Sequence, residues 1–392
     1  MTTRATVGVG AKRAVVDRRA DIVAAASRLI RRRGYPNVSM KDIAELVGIS
    51  APALYRHFTG KQQLLTAAIS EGFAAAEHAA ERSRGEGIEG IVAALARTAV
   101  DEKNLWMLLH RESRHLDQDD RDALADRFTA LIELIASAIS NICPHLNAGR
   151  THMLSQAMLA VLSAPSQYGQ TLSHKVLSSA LSAAALRVLT FEEVTGPLRE
   201  IRSRPPFDPS LHRREAILQA AASLFAERGY DAVTLGDIGS AVAIAGPSIY
   251  NHFDGKADVL AGVLWRSVDW IESDMTWAIA EHRQPVDILR QLYCDYASIA
   301  VRHRELFRVF TVEGVHLPAD ERDRIGRAHR HFVDRWVALL RSARTDLSVG
   351  LSRADVSAGL CVVNDLGQRA PLRDDEDAAR LLAGMAIAAA GL

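Results

Sequence analysis

DIAELVGISAPALYRHFTGKQQLL, residues 42–65, is the stretch that decides the fold. It contains two short segments separated by a turn at Gly48, where a glycine permits the sharp bend between two helices. Ser50 follows the turn and is suited to cap the second segment, Ala51 to Phe58. This spacing predicts a helix-turn-helix, and the N-terminal residues of its second helix would enter the major groove of DNA.

A second copy of this pattern lies further along the chain. Residues 18–69 align with residues 213–264 at a constant offset of 195 without a gap, and 21 of the 52 positions are identical. A weaker match at an offset of 201 pairs residues 112–122 with residues 313–323. The duplication therefore extends over whole units, which is typical of a tandem repeat.

Helix is the expected conformation in both copies. Apolar residues recur at helical spacing in the first helix of each copy: Ile22, Ala25, Ala26, Leu29 and Ile30, and Ile217, Ala220, Ala221, Leu224 and Phe225. Gly34 and Gly229 can end these helices in the left-handed conformation. Ser39 and Thr234 are suited to cap the next helix, each with an aspartate three residues later. No segment shows strand alternation, so we expect an all-α fold.

The repeat defines an expected domain organisation. Residues 201–210, IRSRPPFDPS, combine proline, charge and serine, which resist helix formation and indicate a linker. The expected parts are a flexible basic N-terminal arm (1–17), a first helix-turn-helix domain (18–69), a first C-terminal helical regulatory domain (70–200), a linker (201–212), a second helix-turn-helix domain (213–264) and a second C-terminal helical regulatory domain (265–392). The arm is either a minor-groove contact or a solvated terminus.

Composition excludes several classes of protein. The 47 Lys and Arg balance the 47 Asp and Glu, and 48% hydrophobic residues are ordinary for a folded, water-soluble chain. Cys143, Cys294 and Cys361 are far apart and odd in number, which argues against a disulfide framework or a structural zinc site. The sequence shows no secretion signal and no apolar run of membrane length. We therefore expect a cytoplasmic protein that does not associate with membranes.

Residues 42–65 resemble the DNA-binding domain of the TetR family of repressors. The shared features are DIA, a GIS turn, LYRHF and a lysine three residues after the phenylalanine. The second copy, DIGSAVAIAGPSIYNHFDGKADVL at residues 237–260, keeps most of them. The resemblance implies two tandem TetR-like units, each with an N-terminal helix-turn-helix domain and a C-terminal helical domain for ligand binding and dimerisation. It also implies a transcriptional regulator, and more specifically a repressor that binds double-stranded operator DNA.

The resemblance further implies which residues contact DNA. In the first copy they are Ser39, Lys41, Ser50, Ala51, Pro52, Ala53, Tyr55, Arg56, His57 and Lys61. In the second copy they are Thr234, Gly246, Pro247, Ser248, Tyr250, Asn251, His252 and Lys256. The helix-two hydroxyl, the tyrosine, the histidine and the final lysine of each set would contact phosphates and set the register. The residues at the start of the recognition helix, with Arg56 or Asn251, would read base edges.

The two copies differ in charge and in the turn. Residues 7–61 contain eleven Lys or Arg and four Asp or Glu, whereas residues 202–256 contain six of each. The second copy also departs from the family pattern, with Ala243 at the turn glycine, Ala245 at the capping serine and Gly239 at an alanine position. Because phosphate attraction supplies most non-specific affinity, we expect the first motif to dominate DNA binding. The second would make fewer contacts or read a different half-site.

Repressors of this family are usually homodimers, which implies how a tandem chain would work. One chain would supply both recognition helices as an intramolecular pseudo-dimer, with helices near residues 150–190 and 351–391 forming a shared bundle. An additional homodimer stays open. The operator would be an imperfect palindrome with half-sites roughly 34–36 Å apart. A small apolar, lipid-like effector would release the DNA, and no cofactor is implied.

Several side chains are candidates for an effector cavity or another site. The candidate ligand-binding residues are Trp106, Arg111, Phe128, Met158, Trp277 and Phe310. Aromatic and methionine residues at helical spacing are equally explained as core. The histidine cluster His316, His329 and His331 matches no metal-ligand spacing, so we expect no metal site.

Two other classes of function stay open at this point. An adaptor derived from the helix-turn-helix, with little sequence-specific DNA binding, would suit the neutral second copy but not the basic first copy. An enzyme is the weaker alternative. The sequence contains no phosphate-binding glycine loop, no HExxH motif and no nucleophile elbow.

Overall fold

The computed structural model describes residues 7–102, 106, 108–109, 112–167, 171–192, 194, 213–368 and 376–392. Across these residues the regular secondary structure is helical and no strand is present. The all-α prediction is therefore confirmed. The predicted linker, residues 201–212, lies outside the described residues, and so do residues 1–6 of the predicted arm.

The first structural unit covers residues 1–143. Residues 7–17, expected to belong to a flexible arm, form the start of α1 (Val7–Arg33), because no proline interrupts that stretch. The other helices are α2 (Met40–Val47), α3 (Ala51–Tyr55), α4 (Lys61–Arg82), α5 (Gly87–Asp101) and α6 (Gln118–Ile142), with 3₁₀ turns at Arg84–Glu86 and Ser113–His115. Helix α4 packs against α1 on one side and against α5 and α6 on the other. It therefore joins the helix-turn-helix to the regulatory helices of this unit.

The second structural unit covers residues 144–392. Its helices are α7 (Ala148–Leu162), α8 (Ala164–Gln167), α9 (His174–Arg187), α10 (Arg213–Arg228), α11 (Leu235–Ala241), α12 (Lys256–Glu281), α13 (Pro285–Arg302), α14 (Arg304–Val312), α15 (Ala319–Ala343), α16 (Val349–Leu366) and α17 (Glu376–Ala389), with 3₁₀ helices at Val188–Thr190, Gly246–Asn251 and Glu313–His316. Helices α7 to α9 belong to the first repeat in sequence. The structural units therefore divide inside the first repeat, and the domain boundaries drawn from the repeat stay a prediction.

The last helices of the two repeats pack together within the second unit. Helix α7 contacts α16, and α9 contacts both α16 and α17. We call these four helices the bundle. Its interior is largely apolar, since the side chains of Leu154, Met158, Leu181, Leu360 and Met385 are at most 1% exposed.

The offset of 201 continues through these helices. Helices α6 and α15 have equivalent bounds at this offset, and the loops that follow them end in equivalent caps. Asn147 caps α7 by accepting a hydrogen bond from the Arg150 amide at 2.9 Å. Ser348 caps α16 by accepting one from the Leu351 amide at 3.3 Å. Helix α7 is therefore the counterpart of α16, and α9 is the counterpart of α17.

The two helix-turn-helix domains have the same core. Five large apolar side chains in each are at most 2% exposed, at positions related by the offset of 195. They are Ile22, Ile43, Leu54, Phe58 and Leu65 in the first domain, and Ile217, Ile238, Ile249, Phe253 and Leu260 in the second. Because burying such a side chain contributes about 1.5–3 kcal/mol, this shared core accounts for the common backbone of the two domains.

Candidate nucleic-acid interface

A capping box opens the second helix of each helix-turn-helix. The Asp42 amide donates to Ser39 Oγ at 3.2 Å, and the Ser39 amide donates to Asp42 Oδ2 at 2.8 Å. The same bonds between Thr234 and Asp237 measure 3.1 and 2.8 Å. Hydrogen bonds from the Ser39 and Thr234 side chains lower the pKa of both aspartates. Both hydroxyl residues expected to contact phosphate thus close a helix N-terminus, as the sequence predicts.

The turns differ between the two domains. Gly48 adopts a left-handed conformation with φ of 72°, and Ser50 caps α3 by accepting a hydrogen bond from the Ala53 amide at 3.3 Å. Ala243 adopts the same conformation with φ of 55°, although a β-carbon disfavours it. Ala245 makes no side-chain cap, and the recognition segment Gly246–Asn251 is a 3₁₀ helix. The second recognition segment is therefore held by a strained turn and has a different helical pitch.

Glycines bring helix two close to the recognition segment in the second domain. A β-carbon at Gly239 would lie 2.9 Å from the Ile244 carbonyl oxygen and 3.1 Å from Gly246 Cα. A β-carbon at Gly246 would lie 3.1 Å from Gly236 Cα. The glycine at the alanine position, which weakens the resemblance, thus permits a backbone approach that a larger residue would block.

The residues expected at the DNA are mostly solvent-accessible in both domains. Tyr55 is 53% exposed and Tyr250 is 61% exposed. The other exposed candidates are Ser39, Lys41, Ser50, Pro52 and Arg56 in the first domain, and Thr234, Pro247, Asn251 and His252 in the second. The half-buried candidates of the recognition segments are Ala51, Ala53 and His57, and Gly246 and Ser248. The buried face of each segment is occupied by Leu54 or Ile249. Each domain therefore presents one open face at its recognition segment.

The lysines expected to contact phosphate are bonded inside the domain. Lys61 Nζ donates to the Tyr35 carbonyl at 2.6 Å and lies 4.1 Å from the centre of the Tyr35 ring. Lys256 Nζ donates to the carbonyls of Tyr230 and Val233, both at 2.9 Å. Burial lowers the pKa of Lys61. Each lysine ties the fourth helix of its domain to the loop after the first helix, and its phosphate contact stays a prediction.

A stacked tyrosine–histidine pair connects each helix-turn-helix to its regulatory helices. The rings of Tyr35 and His115 lie 4.8 Å apart, and the Tyr35 amide donates to Glu112 Oε2 at 3.3 Å. In the second repeat the rings of Tyr230 and His316 also lie 4.8 Å apart. Sequence reasoning missed this contact. The available sign of this contact was that residues 112–122 and 313–323 share a glutamate and a histidine. The tyrosine that each histidine contacts is distant in sequence.

Among the side chains that the structure describes, the difference in charge lies at exposed positions. Three arginines, Arg31, Arg32 and Arg33, form the last turn of α1 and are exposed. Their counterparts in α10 are an alanine, Glu227 and Arg228. Arg19 instead packs over the Phe58 ring at 4.3 Å, and its counterpart Arg214 packs over Phe253 at 4.3 Å. The structural arginines are thus shared, whereas Arg31 and Arg32 add positive charge to the surface of the first domain.

The structure places the candidate effector residues on separate elements. In the first unit Trp106 is buried and Phe128 is half-buried, with its ring 6.2 Å from that of Phe73. In the second unit Met158 lies in the bundle core, Trp277 is 37% exposed on α12, and the Phe310 ring lies 5.4 Å from that of His329. Arg111 lies outside the described residues. These residues do not line one described cavity, and their role stays a prediction.

The second regulatory domain has aromatic rings at its centre and a cavity elsewhere. The Tyr293 and Trp336 rings, both at most 1% exposed, pack edge to face at 4.7 Å, and Tyr296 packs against Phe307 at 5.0 Å. A cavity of about 750 Å³ lies between α10 and α12, with His303 and Glu321 completing its lining beside Gln219, Trp265, Arg266 and Trp270. This cavity touches the first helix of the second helix-turn-helix.

The described part of the chain offers few groups for metal or thiol chemistry. Within it, no group of three or more His, Cys, Asp or Glu side chains is arranged to hold a metal ion. No helix there is long and apolar enough to cross a membrane. Cys361 is buried, and burial raises the pKa of Cys294 to about 12, so both thiols are protonated at neutral pH.

Comparison with known proteins identifies the two domains. Residues 22–68 and 217–263 each match the family described as bacterial regulatory proteins, tetR family. The repressor KstR2 of Rhodococcus jostii is 30% identical over 150 residues, which cover 38% of this chain and 72% of that protein. The activator FasR of Mycolicibacterium smegmatis is 30% identical over 91 residues, which cover 22% of this chain and 42% of that protein.

Solved structures of the family are also similar. The ketosteroid transcriptional regulator KstR2 of Mycobacterium tuberculosis has a TM-score of 0.35 at 23% identity, and the match covers 40% of this chain and 89% of that chain. AibR, solved with isovaleryl coenzyme A and operator DNA, has a TM-score of 0.37 at 20% identity, over 42% of this chain and 96% of that one. With its two matched domains and its similarity to KstR2, this chain belongs to the TetR family of DNA-binding transcriptional regulators in a tandem form.

Proposed function

We propose that one chain represses transcription by binding both half-sites of an operator as an intramolecular pseudo-dimer in the cytoplasm. The observation that carries this proposal is the bundle. Helices α7 and α9 of the first repeat pack against α16 and α17, their own counterparts in the second repeat. Two units joined through equivalent helices have the arrangement expected of a dimer with an approximate twofold axis.

Both helix-turn-helix domains take part in binding, with unequal weight. Each has an exposed tyrosine and an open recognition face. The first adds Arg56, Arg31 and Arg32, whereas the second has Asn251, Ala226 and Glu227 at the equivalent positions. Because each phosphate contact releases counterions, the first domain supplies most of the affinity. The second contributes orientation and a different half-site sequence.

Release of the DNA depends on a small apolar effector. The KstR2 structure is described as that of a ketosteroid transcriptional regulator, and AibR was solved with isovaleryl coenzyme A and operator DNA. The cavity beside α10 is the place we assign to such a molecule next to a DNA-binding helix: Trp265 and Trp270 offer apolar contact there. Most of its other lining side chains are charged, so the effector would also carry a polar or charged group. A ligand that binds one orientation of α10 more tightly than another shifts the DNA-binding equilibrium by that difference in affinity.

A mobility-shift titration against the DNA upstream of the protein's own gene tests this function. Specific binding should weaken at least about tenfold between 50 and 200 mM salt, as expected for several phosphate contacts. The variant Arg56→Ala should bind more weakly, while Arg97→Ala, an exposed arginine on α5, should bind like the unaltered chain. Binding that competitor DNA removes completely would contradict the repressor function and favour an adaptor that binds a protein partner.

A further inference from the structure

A partly buried ion pair joins the two repeats inside the bundle. Arg187 Nη2 lies 2.6 Å from Asp355 Oδ1, and the Asp355 side chain is only 8% exposed. The same guanidinium donates to the carbonyls of Ala388 at 3.2 Å and Ala389 at 2.6 Å. Burial raises the pKa of Asp355 and Arg187 opposes that effect. One arginine of α9 therefore holds both helices that the second repeat contributes to the bundle.

The ion pair has no charged counterpart on the other side of the pseudo-twofold axis. At the offset of 201, Arg187 corresponds to Ala388 and Asp355 corresponds to Leu154. Leu154 is 1% exposed. The contact between Arg187 and Asp355 is therefore charged, whereas the equivalent contact between Ala388 and Leu154 is apolar. This difference makes the bundle chemically asymmetric.

This asymmetry penalises pairing between like repeats. If α7 and α9 paired with a second copy of themselves, Arg187 would face Leu154 instead of Asp355. If α16 and α17 paired with a second copy of themselves, Asp355 would face Ala388. Either arrangement removes the Arg187–Asp355 pair, and the cost falls mainly on Asp355, because its side chain is 8% exposed whereas that of Arg187 is 31% exposed. Only the unlike combination satisfies both charges.

Glycines in the second repeat add an independent steric preference. A β-carbon at Gly350 would lie 2.5 Å from Leu172 Cδ2, whereas one at its counterpart Gly149 would meet only the side chain of Asn147 at 3.4 Å. A β-carbon at Gly384 would collide with the Glu192 carbonyl and lie 3.1 Å from Phe191 Cδ2. The first repeat has an alanine at that position, residue 183. The second repeat therefore has two close-contact positions for segments of the first.

We propose that the bundle selects unlike repeats, so that a second copy of this chain can join it only by exchanging halves. Helices α7 and α9 of one chain would then pair with α16 and α17 of the other. The proposal rests on the intramolecular pairing described under the proposed function. It adds a rule for the choice of partner. Each pair of helix-turn-helix domains on an operator consists of one domain from a first repeat and one from a second repeat, in a fixed order.

Co-expression of two full-length variants with altered charges and different tags tests this rule. Within a chain carrying Arg187→Asp, two carboxylates meet; within a chain carrying Asp355→Arg, two guanidinium groups meet. An exchanged pair of the two variants restores opposite charges at both contacts. We expect tandem purification to recover a 1:1 complex with twice the 42.7 kDa of one chain, and at least tenfold less dimer from either variant alone.

Two outcomes would overturn the rule. Either variant alone forming as much dimer as the mixture would show that like repeats pair, and no complex from the mixture would show that the charges do not choose the partner. If the variants are insoluble, thermal unfolding of Gly384→Ala and Gly149→Ala decides: the former should lower Tm and the latter should not, and equal Tm values would contradict the asymmetry. Operator binding by the unaltered chain tests the proposed function separately.

Discussion

The two helix-turn-helix domains of this chain have the same interior and different surfaces. Their five core positions are equally buried, and both have a capping box and a lysine bonded to the loop after the first helix. They differ at the turn, where Gly48 is replaced by Ala243, and at exposed positions such as Arg56 and Asn251. The comparison teaches that burial and capping preserve the backbone while the DNA-facing residues change independently.

The largest effect should come from the shared core, and it should be equal in both domains. Phe58 and Phe253 are 1% and 2% exposed. Replacing either by alanine leaves a cavity, which costs about 3–5 kcal/mol. Chemical denaturation followed by circular dichroism should show similar losses of stability for Phe58→Ala and Phe253→Ala. A loss confined to one variant would break the equivalence of the two interiors.

DNA affinity should separate the two domains. We expect Arg56→Ala to lower operator affinity about 10- to 100-fold, since a side chain that contacts a base or phosphate contributes about 1–3 kcal/mol. Asn251→Ala should lower it less than about threefold. Fluorescence anisotropy with labelled operator at constant salt measures both. Equal losses would mean that the second domain grips DNA as strongly as the first.

Exchanging glycine and alanine at the two turns should change the stability of the two domains in opposite directions. A left-handed conformation costs a residue with a β-carbon about 1–2 kcal/mol, and no atom lies within 4 Å of a β-carbon added at Gly48. Gly48→Ala should therefore destabilise the first domain by about 1 kcal/mol, and Ala243→Gly should stabilise the second by a similar amount. Urea unfolding of each variant checks the signs; stabilisation by Gly48→Ala would show that turn strain does not distinguish the domains.

The smallest expected effect is on stability at acid pH, and it should be similar in the two domains. The pKa of Asp42 and of Asp237 is lowered by hydrogen bonds from the capping side chains. Each carboxylate therefore stabilises its domain above about pH 4, and that contribution is lost as pH falls through the lowered pKa. Asp42→Asn and Asp237→Asn should each flatten the fall in Tm between pH 5 and pH 3. An unchanged pH profile in only one variant would contradict the equivalence of the two boxes.

Local signals made the helix-turn-helix domains predictable from sequence. The glycine turn, the hydroxyl caps and the apolar spacing act within a few residues, so the sequence pattern alone placed α2 and the start of α3. Helix α3 ends at Tyr55 and not at Phe58 as predicted. The capping role of Thr234 was equally readable. At Ala243 the same left-handed backbone forms without the glycine.

Contacts between distant residues were not predictable in the same way. The stacking of Tyr35 on His115 and the pair Arg187–Asp355 depend on how helices pack, which no short pattern records. The candidate effector residues were chosen by residue type, and type does not distinguish an aromatic core from a cavity wall. The structure places Phe310 beside His329, while the described cavity beside α10 is lined by Trp265 and Trp270.

The stoichiometry of the operator complex tests the central claim most directly. Sedimentation velocity of the chain with an operator fragment carrying both half-sites gives the mass of the complex. The account predicts one chain of 42.7 kDa per fragment, with both half-sites protected from hydroxyl radicals. Two chains per fragment, with the second helix-turn-helix domains leaving the DNA unprotected, would contradict it.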